Sequence, residues 1–447
     1  MKLLRVGAVA GAAALVLTGV PAVAGAGPAS CDTRVNNTSK KLLECVTVDG
    51  VRGHQAAFQA IADANGGTRQ AGTPGYAQSA EYVASTLEAA GYEVTLDPFE
   101  FTFVPPAVLD QLTPVLASYE TGAFTGSGSG DVTGQVIPVD LALGTTAWPA
   151  DPATSTSGCE ASDFAGLDFS GPADIALVQR GACFFSVKAV NAQAAGAEAV
   201  VIVNQGNSPD REGLIVANAS ALPDGSPSNI GIPVVGGSFA NGIALAEPGA
   251  TAQVTVEPAE IRTDVNVLAE LPGKRSDTVV MAGAHLDSVP AGPGVQDNGS
   301  GSAAILEAAV QMAKVRPTNT VRFAWWGAEE LGLVGSTEYV NELSQEELDR
   351  IALYLNFDMI GSPNYVFFIY DGDDSDGVGA GPGPEGSAQI EALFERFYDQ
   401  VGEPYTGTDF SGRSDYGPFI AQGIPSGGLF TGAEGIKTIE EAAVWGG

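Results

Sequence analysis

The chain has 447 residues, with 53 acidic side chains against 20 basic ones, which gives a formal net charge of −33 at pH 7. Such a charge argues against nucleic acid and anionic membranes as partners, because both are bound through clusters of lysine and arginine. The length predicts two domains rather than one.

The first 26 residues read as a secretory signal peptide. Lys2 and Arg5 form a positively charged start, and the apolar stretch 6–20 is too short for a comfortable membrane span. Small residues at 22–26 offer cleavage sites, and a retained anchor is the alternative interpretation. We therefore expect a secreted, extracellular protein without a membrane-spanning segment.

The four cysteines predict two disulfide bonds, as is usual in an exported chain of this size. Three pairings are possible. The pairing Cys31–Cys45 with Cys159–Cys183 is the most economical, because each bridge then lies within one predicted domain.

Two helices and a strand follow the signal peptide. Apolar residues recur at helical spacing over residues 51–64 and 76–90, and residues 93–103 alternate as in a strand. The first helix contains His54, one of only two histidines in the chain. We interpret His54 as an ordinary helix residue, with metal binding as the less favoured alternative.

The sequence changes character at residue 106, and from there to residue 260 short strands alternate with Gly, Ser and Pro turns. Residues 173–205 read as strand, turn, helix and strand, and residues 229–236 add another strand. This segment resembles the protease-associated domain that is inserted in many exopeptidases. We interpret Arg180 and Lys188 as solvated surface residues, with ligand binding as the alternative.

Metal-ligand side chains follow the buried strands of the C-terminal part at the points where the strands end. Residues 278–282, 320–326 and 351–357 read as buried strands, and residues 299–314 as a helix. The side chains are His285 and Asp287 after the first strand, Asp297 before the helix, Glu329 and Glu330 after the second strand and Asp358 after the third. Open α/β sheets place their active sites at these strand ends.

Imidazole and carboxylate groups in this order suit zinc. Asp297 could bridge two zinc ions, with His285 and Asp358 completing the first site and Glu330 serving the second. Each residue also has an ordinary interpretation: a surface ion pair, a solvated helix start or a turn residue. The repetition at successive strand ends favours the metal site.

Two further carboxylates have distinct predicted roles. Glu329 stands beside a ligand and suits a general base that takes a proton from the attacking water. Asp287, two residues beyond His285, suits a carboxylate that fixes the orientation of the imidazole.

Five motifs carry a family resemblance: AHLDSV…VQDNGSG, FAWWGAEELGLVGS, NFDMIG, FSGRSDYGPF and GIPSGGLFTGAEGIKT. They are similar to those of the secreted di-zinc aminopeptidases of Streptomyces type, in zinc metallopeptidase family twenty-eight. The resemblance is close from residue 264 to the C-terminus and looser before residue 103. It implies a mixed, mostly parallel α/β sheet with helices on both faces (the zinc exopeptidase fold), interrupted by the β-rich protease-associated domain.

The resemblance implies that His285 and Asp358 bind one zinc ion and Glu330 the other. It implies further that Asp297 bridges the two ions and that Glu329 is the general base. It also implies that Arg413 helps to hold the substrate near its free amino end, and that Phe430 lies in the run that lines the side-chain pocket. The peptide bond between Asp297 and Asn298 is expected to be cis. We assign residues 27–105 and 261–447 to the peptidase domain and residues 106–260 to the insert.

One departure from the family pattern concerns the second zinc ion. The family completes that site with a further histidine, preceded by a tyrosine in a short Cys-bounded segment, which this sequence does not contain up to Gly447. We therefore expect one tightly held zinc and poor peptidase activity from protein made to this sequence.

The predicted function is zinc-dependent removal of N-terminal, Leu-like residues from peptides by a monomeric enzyme. The alternatives are a carboxypeptidase or glutaminyl cyclase on the same scaffold, or a non-catalytic binding protein. Residues 371–376 are rich in aspartate, but Asp376 and Pro382 stand where an EF-hand loop needs glycine and glutamate. We therefore interpret residues 371–376 as a disordered acidic loop.

Overall fold

The computed structural model describes residues 30–31, 33–143, 155–377, 379 and 381–447. The predicted signal peptide, residues 1–26, lies outside these residues. The chain divides into two compact units: a discontinuous unit, Met1–Phe99 with Thr263–Gly447, and the insert unit, Glu100–Arg262. A search of the described residues finds no helix that is long and apolar enough to cross a membrane.

Helices and strands alternate through most of the chain. The helices are α1 (Ser39–Leu43), α2 (Val48–Ala64), α3 (Pro74–Ala90), α4 (Phe185–Ala195), α5 (Phe239–Leu245), α6 (Gly299–Met312), α7 (Val334–Glu342), α8 (Gln345–Arg350), α9 (Ser387–Val401), α10 (Gly417–Ala421) and α11 (Ile439–Trp445). The strands are β1 (Glu93–Phe103), β2 (Val108–Thr113), β3 (Ala117–Ser118), β4 (Gly130–Pro138), β5 (Asp174–Gln179), β6 (Ala199–Val203), β7 (Val234–Gly237), β8 (Thr251–Val256), β9 (Glu260–Leu271), β10 (Arg275–His285), β11 (Asn319–Trp326), β12 (Ile351–Phe357), β13 (Phe368–Tyr370), β14 (Thr406–Thr408) and β15 (Ser426–Phe430).

The larger sheet has eight strands in the order β1-β9-β11-β10-β12-β15-β13-β14. The four central strands β11, β10, β12 and β15 run parallel to one another, whereas β9 is antiparallel to β11 and β13 is antiparallel to β15. This arrangement confirms the predicted mixed, mostly parallel sheet. It also brings the carboxyl ends of β10, β11 and β12 to the same edge.

Strand β11 shows why helices cover both faces of this sheet. Successive side chains of a strand point to opposite faces, and Phe323 and Trp325 belong to one buried cluster while Trp326 belongs to another. The first cluster includes buried residues of helices α2, α3 and α6, and the second includes residues of α7 and α10. A run that is apolar on both faces is typical of a strand buried between two helix layers.

The insert unit contains a seven-stranded sheet in the order β3-β2-β8-β4-β5-β6-β7. Strands β4 to β7 pair in parallel, and β8 pairs antiparallel with both β2 and β4. Buried apolar clusters lie on both faces of the sheet. The predicted succession of strand, helix and strand over residues 173–205 is confirmed as β5, α4 and β6.

The prediction that Lys188 is a solvated surface residue is wrong. Its side chain is fully buried, and its Nζ atom donates a hydrogen bond of 2.5 Å to the carbonyl oxygen of Ser157. Burial lowers the pKa of Lys188 to about 8. Because α4 turns this residue toward the backbone of the 155–159 segment, the amine finds its partner inside the protein.

The prediction that residues 371–376 form a disordered loop is also wrong. Asp371 is buried, and its two carboxylate oxygens accept hydrogen bonds from the backbone N–H groups of Ser375 (2.9 Å) and Asp376 (3.1 Å). Glu391 of helix α9 is buried beside it and accepts from the backbone N–H of Gly372 at 2.8 Å. The loop is therefore ordered by hydrogen bonds from its backbone N–H groups to these two carboxylates. A pattern of acidic residues alone does not predict such bonds.

Both predicted disulfide bonds are present. Cys31 is bonded to Cys45 and Cys159 to Cys183, with Cα–Cα distances of 5.6 Å and 5.7 Å. Each bridge lies within one of the two units.

Candidate active site

The predicted ligands meet at the carboxyl edge of the larger sheet. His285 is the last residue of β10, and Asp358 directly follows β12. The Nε2 atom of His285 lies 3.1 Å from Oδ1 of Asp297, 3.2 Å from Oδ1 of Asp358 and 3.9 Å from Oε2 of Glu329. One imidazole is thus surrounded by carboxylates that come from three different segments of the chain.

Two overlapping groups of side chains could hold a metal ion. Asp297 and Glu330 form one group with His285, and Glu329 and Asp358 form the other with the same imidazole. In each group, the candidate ligand atoms lie within 4.8 Å of one another. A separate acidic group of Asp371, Asp373 and Glu391 meets the same distance criterion, but its carboxylates accept hydrogen bonds from the backbone of their own loop.

Asp287 joins the histidine strand to the following pair of glutamates. Its Oδ1 atom lies 3.4 Å from Nδ1 of His285 and accepts a hydrogen bond of 3.1 Å from the backbone N–H of Glu329. Its Oδ2 atom accepts from the backbone N–H of Glu330 at 3.3 Å. The completely buried carboxylate of Asp287 therefore orients both the imidazole and the turn that carries the two glutamates.

Asn298 connects the start of helix α6 with the end of β12. Its Oδ1 atom accepts hydrogen bonds from the backbone N–H groups of Gly301 (3.0 Å) and Met359 (3.1 Å), and its Nδ2 atom donates to the carbonyl of Phe357 at 2.9 Å. The peptide bond between Asp297 and Asn298 is cis, as the family resemblance implied. Asn298 thereby holds together the segments that present Asp297 and Asp358.

A buried chain of hydrogen bonds leads to Asp358. The Nε1 atom of Trp326 donates to the hydroxyl of Tyr354 (2.8 Å), which donates to Oδ1 of Asn356 (3.1 Å). The Nδ2 atom of Asn356 donates to the hydroxyl of Ser414 (2.9 Å), and Ser414 donates to Oδ2 of Asp358 (2.6 Å). Sequence reasoning missed Asn356 and Ser414, because only the fold brings residues 58 positions apart into contact.

The backbone is strained next to the candidate ligands. Ala328, Leu333 and Met359 have φ angles of 54°, 59° and 56°, a region that non-glycine residues rarely occupy. Ala328 directly precedes Glu329, and Met359 directly follows Asp358. Such strain costs about 1–3 kcal/mol per residue and clusters at functional sites.

The crowding of acids shifts the pKa values at the site. Burial, opposed by His285 and reinforced by neighbouring carboxylates, raises the pKa of Glu329 to about 10. Burial and the nearby Asp297 raise the pKa of Glu330 to about 7. Although burial acts to lower the pKa of His285, the surrounding carboxylates raise it well above its ordinary value.

A further buried carboxylate, Asp415, was not singled out by sequence reasoning. Its side chain is completely buried, and burial raises its pKa to about 7. The neighbouring carboxylates of Asp358 and Asp287 also raise the pKa of Asp415. The site thus collects more carboxyl groups than can be ionised together without a compensating positive charge.

The chemistry of the donor atoms fits a divalent cation. Nε2 of His285, Oε1 of Glu330 and Oδ1 of Asp358 are buried and have no hydrogen-bond partner among the described residues. Buried polar atoms are normally paired, and unpaired ones call for an ion or a water. Imidazole nitrogen with carboxylate oxygen is the donor set that zinc accepts at catalytic sites.

His54, the other histidine, lies elsewhere. Its Nδ1 atom is 2.7 Å from the hydroxyl of Tyr82, and its Nε2 atom is 3.4 Å from Oε2 of Glu307. Both ring nitrogens therefore contact side chains of the helix layer, in agreement with the interpretation of His54 as an ordinary helix residue.

The carboxylates of Asp297, Glu330 and Asp358 line a cavity of about 780 Å³. Phe430, the predicted pocket residue, lines this cavity and stacks on Phe368 with 5.8 Å between the ring centroids. Arg413 also lines the cavity; its side chain is 77% exposed and pairs with Glu434 at 3.2 Å. The cavity therefore has an acidic end, an aromatic wall and one exposed guanidinium group.

Comparison with known proteins identifies the two parts of the chain. Residues 266–445 match peptidase family M28, and residues 132–245 match the PA domain. An aminopeptidase of Pseudomonas aeruginosa is 48% identical over 421 residues, which is 92% of this chain and 75% of that protein. A probable lipoprotein aminopeptidase of Mycobacterium tuberculosis is 40% identical over 435 residues, or 94% of this chain and 80% of that protein.

Solved structures show the same fold. The zinc aminopeptidase of Bacillus subtilis matches with a TM-score of 0.59 and 26% identity, over 89% of this chain and 88% of that one. The aminopeptidase of Aneurinibacillus sp. strain AM-1 matches with a TM-score of 0.52 and 28% identity, over 85% of both chains. With relatives of this identity and coverage, and with its ligand-type residues at the carboxyl edge of the sheet, the chain belongs to peptidase family M28 and carries a PA domain.

Proposed function

We propose that the protein is an extracellular zinc aminopeptidase that removes apolar, Leu-like residues from the N-termini of peptides. The observation that carries the proposal is the single imidazole among carboxylates at the acidic end of a cavity with an aromatic wall. The relatives named as aminopeptidases in Pseudomonas aeruginosa and Mycobacterium tuberculosis support the same reaction.

His285, Asp297, Glu330 and Asp358 would hold the metal, because their donor atoms converge and several of them have no other partner. Zinc, when bound, supplies a Lewis acid that polarises the scissile carbonyl and makes water easier to deprotonate. Asp287 maintains the orientation of the imidazole from behind.

Glu329 is proposed as the proton carrier of the reaction. With a divalent cation offsetting the neighbouring negative charges, Glu329 would be ionised. Its carboxylate would then take a proton from the attacking water, whose oxygen adds to the carbonyl carbon of the first peptide bond. The C–N bond then breaks, and Glu329 returns the proton to the leaving amine nitrogen. The backbone N–H of Glu329 is held by Asp287 at 3.1 Å, which fixes the start of this side chain.

The acidic end of the cavity supports an exopeptidase that acts at a free amino terminus. Asp297, Glu330 and Asp358 all line the cavity, and carboxylates attract the positive charge of an N-terminal ammonium group. An N-blocked peptide lacks that charge and would be bound less well. Arg413 lines the same cavity, and we propose that it helps to hold the substrate near its free amino end.

Secretion is part of the proposal. The signal-like segment of residues 1–26 supports export, and the two disulfide bonds are typical of proteins that fold in an oxidising compartment.

A substrate panel tests the reaction. The zinc-loaded protein is incubated with Leu-anilide, its N-acetyl derivative, a peptide with N-terminal Gln and a C-terminally free, N-blocked peptide. We expect release of aniline from Leu-anilide alone. Cyclisation of the Gln peptide or release of C-terminal residues would favour the cyclase or carboxypeptidase alternative, and no turnover by zinc-loaded protein would favour a binding protein.

Replacing Phe430 with alanine should reduce selectivity for large apolar residues. The ring of Phe430 lines the cavity and stacks on Phe368, and one methylene of a substrate bound in such a pocket is worth about 1–3 kcal/mol. We expect kcat/KM for Leu-anilide to fall about 10–100-fold, while kcat/KM for Ala-anilide changes little. An equal loss for both substrates would contradict a role for Phe430 in side-chain recognition.

The two candidate ligand groups share one imidazole, and this limits zinc content. Only the Nε2 atom of His285 faces Asp297 and Asp358, whereas Nδ1 faces Asp287. One nitrogen atom serves one zinc at about 2.0–2.1 Å, so we predict one tightly held ion and a weaker second one. Zinc is measured after gel filtration with a mild chelator, and two ions retained per chain would contradict the prediction.

A further inference from the structure

Arg69 is a completely buried arginine that contacts the loop between two candidate zinc ligands. Its Nε atom donates to the carbonyl of Pro293 (2.7 Å), and one terminal nitrogen donates to the carbonyl of Gly294 (2.6 Å). The other terminal nitrogen donates to the carbonyl of Leu286. All three guanidinium nitrogens of Arg69 therefore bind backbone carbonyls of the 286–294 loop.

The position of these carbonyls ties both ends of the loop to Arg69. Leu286 directly follows His285, and Gly294 lies three residues before Asp297. The carbonyl of Gly294 also accepts a hydrogen bond of 2.8 Å from the backbone N–H of Gly299, the first residue of helix α6. Arg69 thus connects the end of β10 to the start of α6 across the loop.

Two further contacts fix the same geometry. The backbone N–H of Arg69 donates to the hydroxyl of Ser288 at 3.0 Å. Gly294 has a φ of 58°, and a Cβ atom there would lie 2.4 Å from the carbonyl oxygen of Asp297 and 3.1 Å from the guanidinium of Arg69. The loop therefore approaches Arg69 and Asp297 too closely for any side chain at position 294.

The positive charge of Arg69 also interacts with the carboxylates of Asp287 and Asp297. Burial lowers the pKa of Arg69 to about 10, and Asp287 and Asp297 oppose that effect. The guanidinium is supported from its other side by the ring of Phe58, 5.0 Å from the ring centroid. Lysine does not match this group, because its three donors share a single nitrogen, whereas Arg69 uses three separate nitrogens of a planar fork to reach three carbonyls.

We infer that Arg69 is a positioning residue of the zinc site, which sets the distance between His285 and Asp297 by clamping the loop between them. The inference rests on the zinc site proposed above. Arg69 holds the two ligands in place through the carbonyls of Leu286, Pro293 and Gly294 and does not bind the ion itself.

The test compares Arg69→Lys with Arg322→Lys. Arg322 is a matched control, because it is also a largely buried arginine and is paired with Glu270. It lies on β11 opposite Met281 of β10, which is four residues before His285 in that strand. Zinc affinity is measured by chelator competition, the visible spectrum is recorded with Co²⁺, and the far-UV CD spectrum and melting temperature are taken without metal. We expect Arg69→Lys to lose at least about tenfold in zinc affinity, as for loss of an outer partner of a ligand, with a changed Co²⁺ spectrum. Arg322→Lys is expected to lower the melting temperature alone.

A folded Arg69→Lys protein with wild-type zinc affinity and Co²⁺ spectrum would overturn the inference, as would an equal affinity loss in Arg322→Lys. If Arg69→Lys does not fold, Ser288→Ala decides. It removes the acceptor of the Arg69 backbone N–H, together with the hydroxyl's contacts to Thr68, Val289 and Gly292, and leaves the three guanidinium hydrogen bonds of Arg69 in place. A smaller loss of zinc affinity in the same direction supports the clamp, and an unchanged affinity overturns it. Failure of the wild-type protein to bind zinc would instead refute the proposed function.

Discussion

Replacing Glu329 with glutamine is expected to lower kcat by about 10²–10⁴-fold, the usual contribution of a general acid–base group, while zinc stays bound. Glutamine has the same shape but accepts no proton, so neither the deprotonation of water nor the protonation of the leaving amine is assisted. The fold should not change, because the hydrogen bond from the backbone of residue 329 to Asp287 does not involve the side chain.

The measurement is kcat and KM for Leu-anilide, with zinc content determined on the same sample. Glu338→Gln serves as the matched control, because Glu338 is an exposed residue of helix α7, nine positions further along the chain. Near-wild-type turnover in Glu329→Gln would remove Glu329 from the proposed role. A parallel loss of zinc would show that the side chain acts as a ligand and not only as a base.

Replacing His285 with alanine is expected to abolish tight zinc binding and, with it, peptidase activity. His285 contributes the only imidazole to both ligand groups, and the remaining donors are carboxylates that already crowd one another. The loss of zinc affinity should exceed the about 10–100-fold that follows from loss of an outer partner of a ligand.

His54→Ala is the matched control for this variant, because His54 is the other histidine of the chain and contacts Tyr82 and Glu307 in the helix layer. It should keep its zinc and show at most a lower melting temperature. Zinc titration of both metal-free proteins, with CD spectra to check folding, makes the comparison. Wild-type zinc affinity in a folded His285→Ala protein would refute the proposed centre.

Much of the site could be predicted because its residues stand at the ends of periodic apolar runs. The strand predicted at residues 351–357 has the same bounds in the structure. Once successive strands are taken as parallel, His285, Glu329 and Asp358 must share one edge of the sheet.

The residues that sequence reasoning missed act over long distances in the chain. Arg69 reaches carbonyls 217 to 225 positions away, and no local pattern distinguishes it from a surface arginine. Lys188 and Asp371 were misjudged for a related reason: a charged residue indicates solvent on average. The structure instead supplies each with backbone partners that only the tertiary fold brings near.

The two tryptophans at the end of β11 give the protein a fluorescent reporter of its own metal chemistry. Trp325 and Trp326 are completely buried, and Trp326 pairs with His285 across neighbouring parallel strands, whose backbones are about 4.8 Å apart. Because indole emission responds to nearby charge, we expect binding of a divalent cation beside His285 to change the protein's fluorescence, measured against the emission of the other two tryptophans, Trp148 and Trp445. The substitutions discussed above can therefore be compared by stopped-flow optics under conditions in which no substrate is turned over.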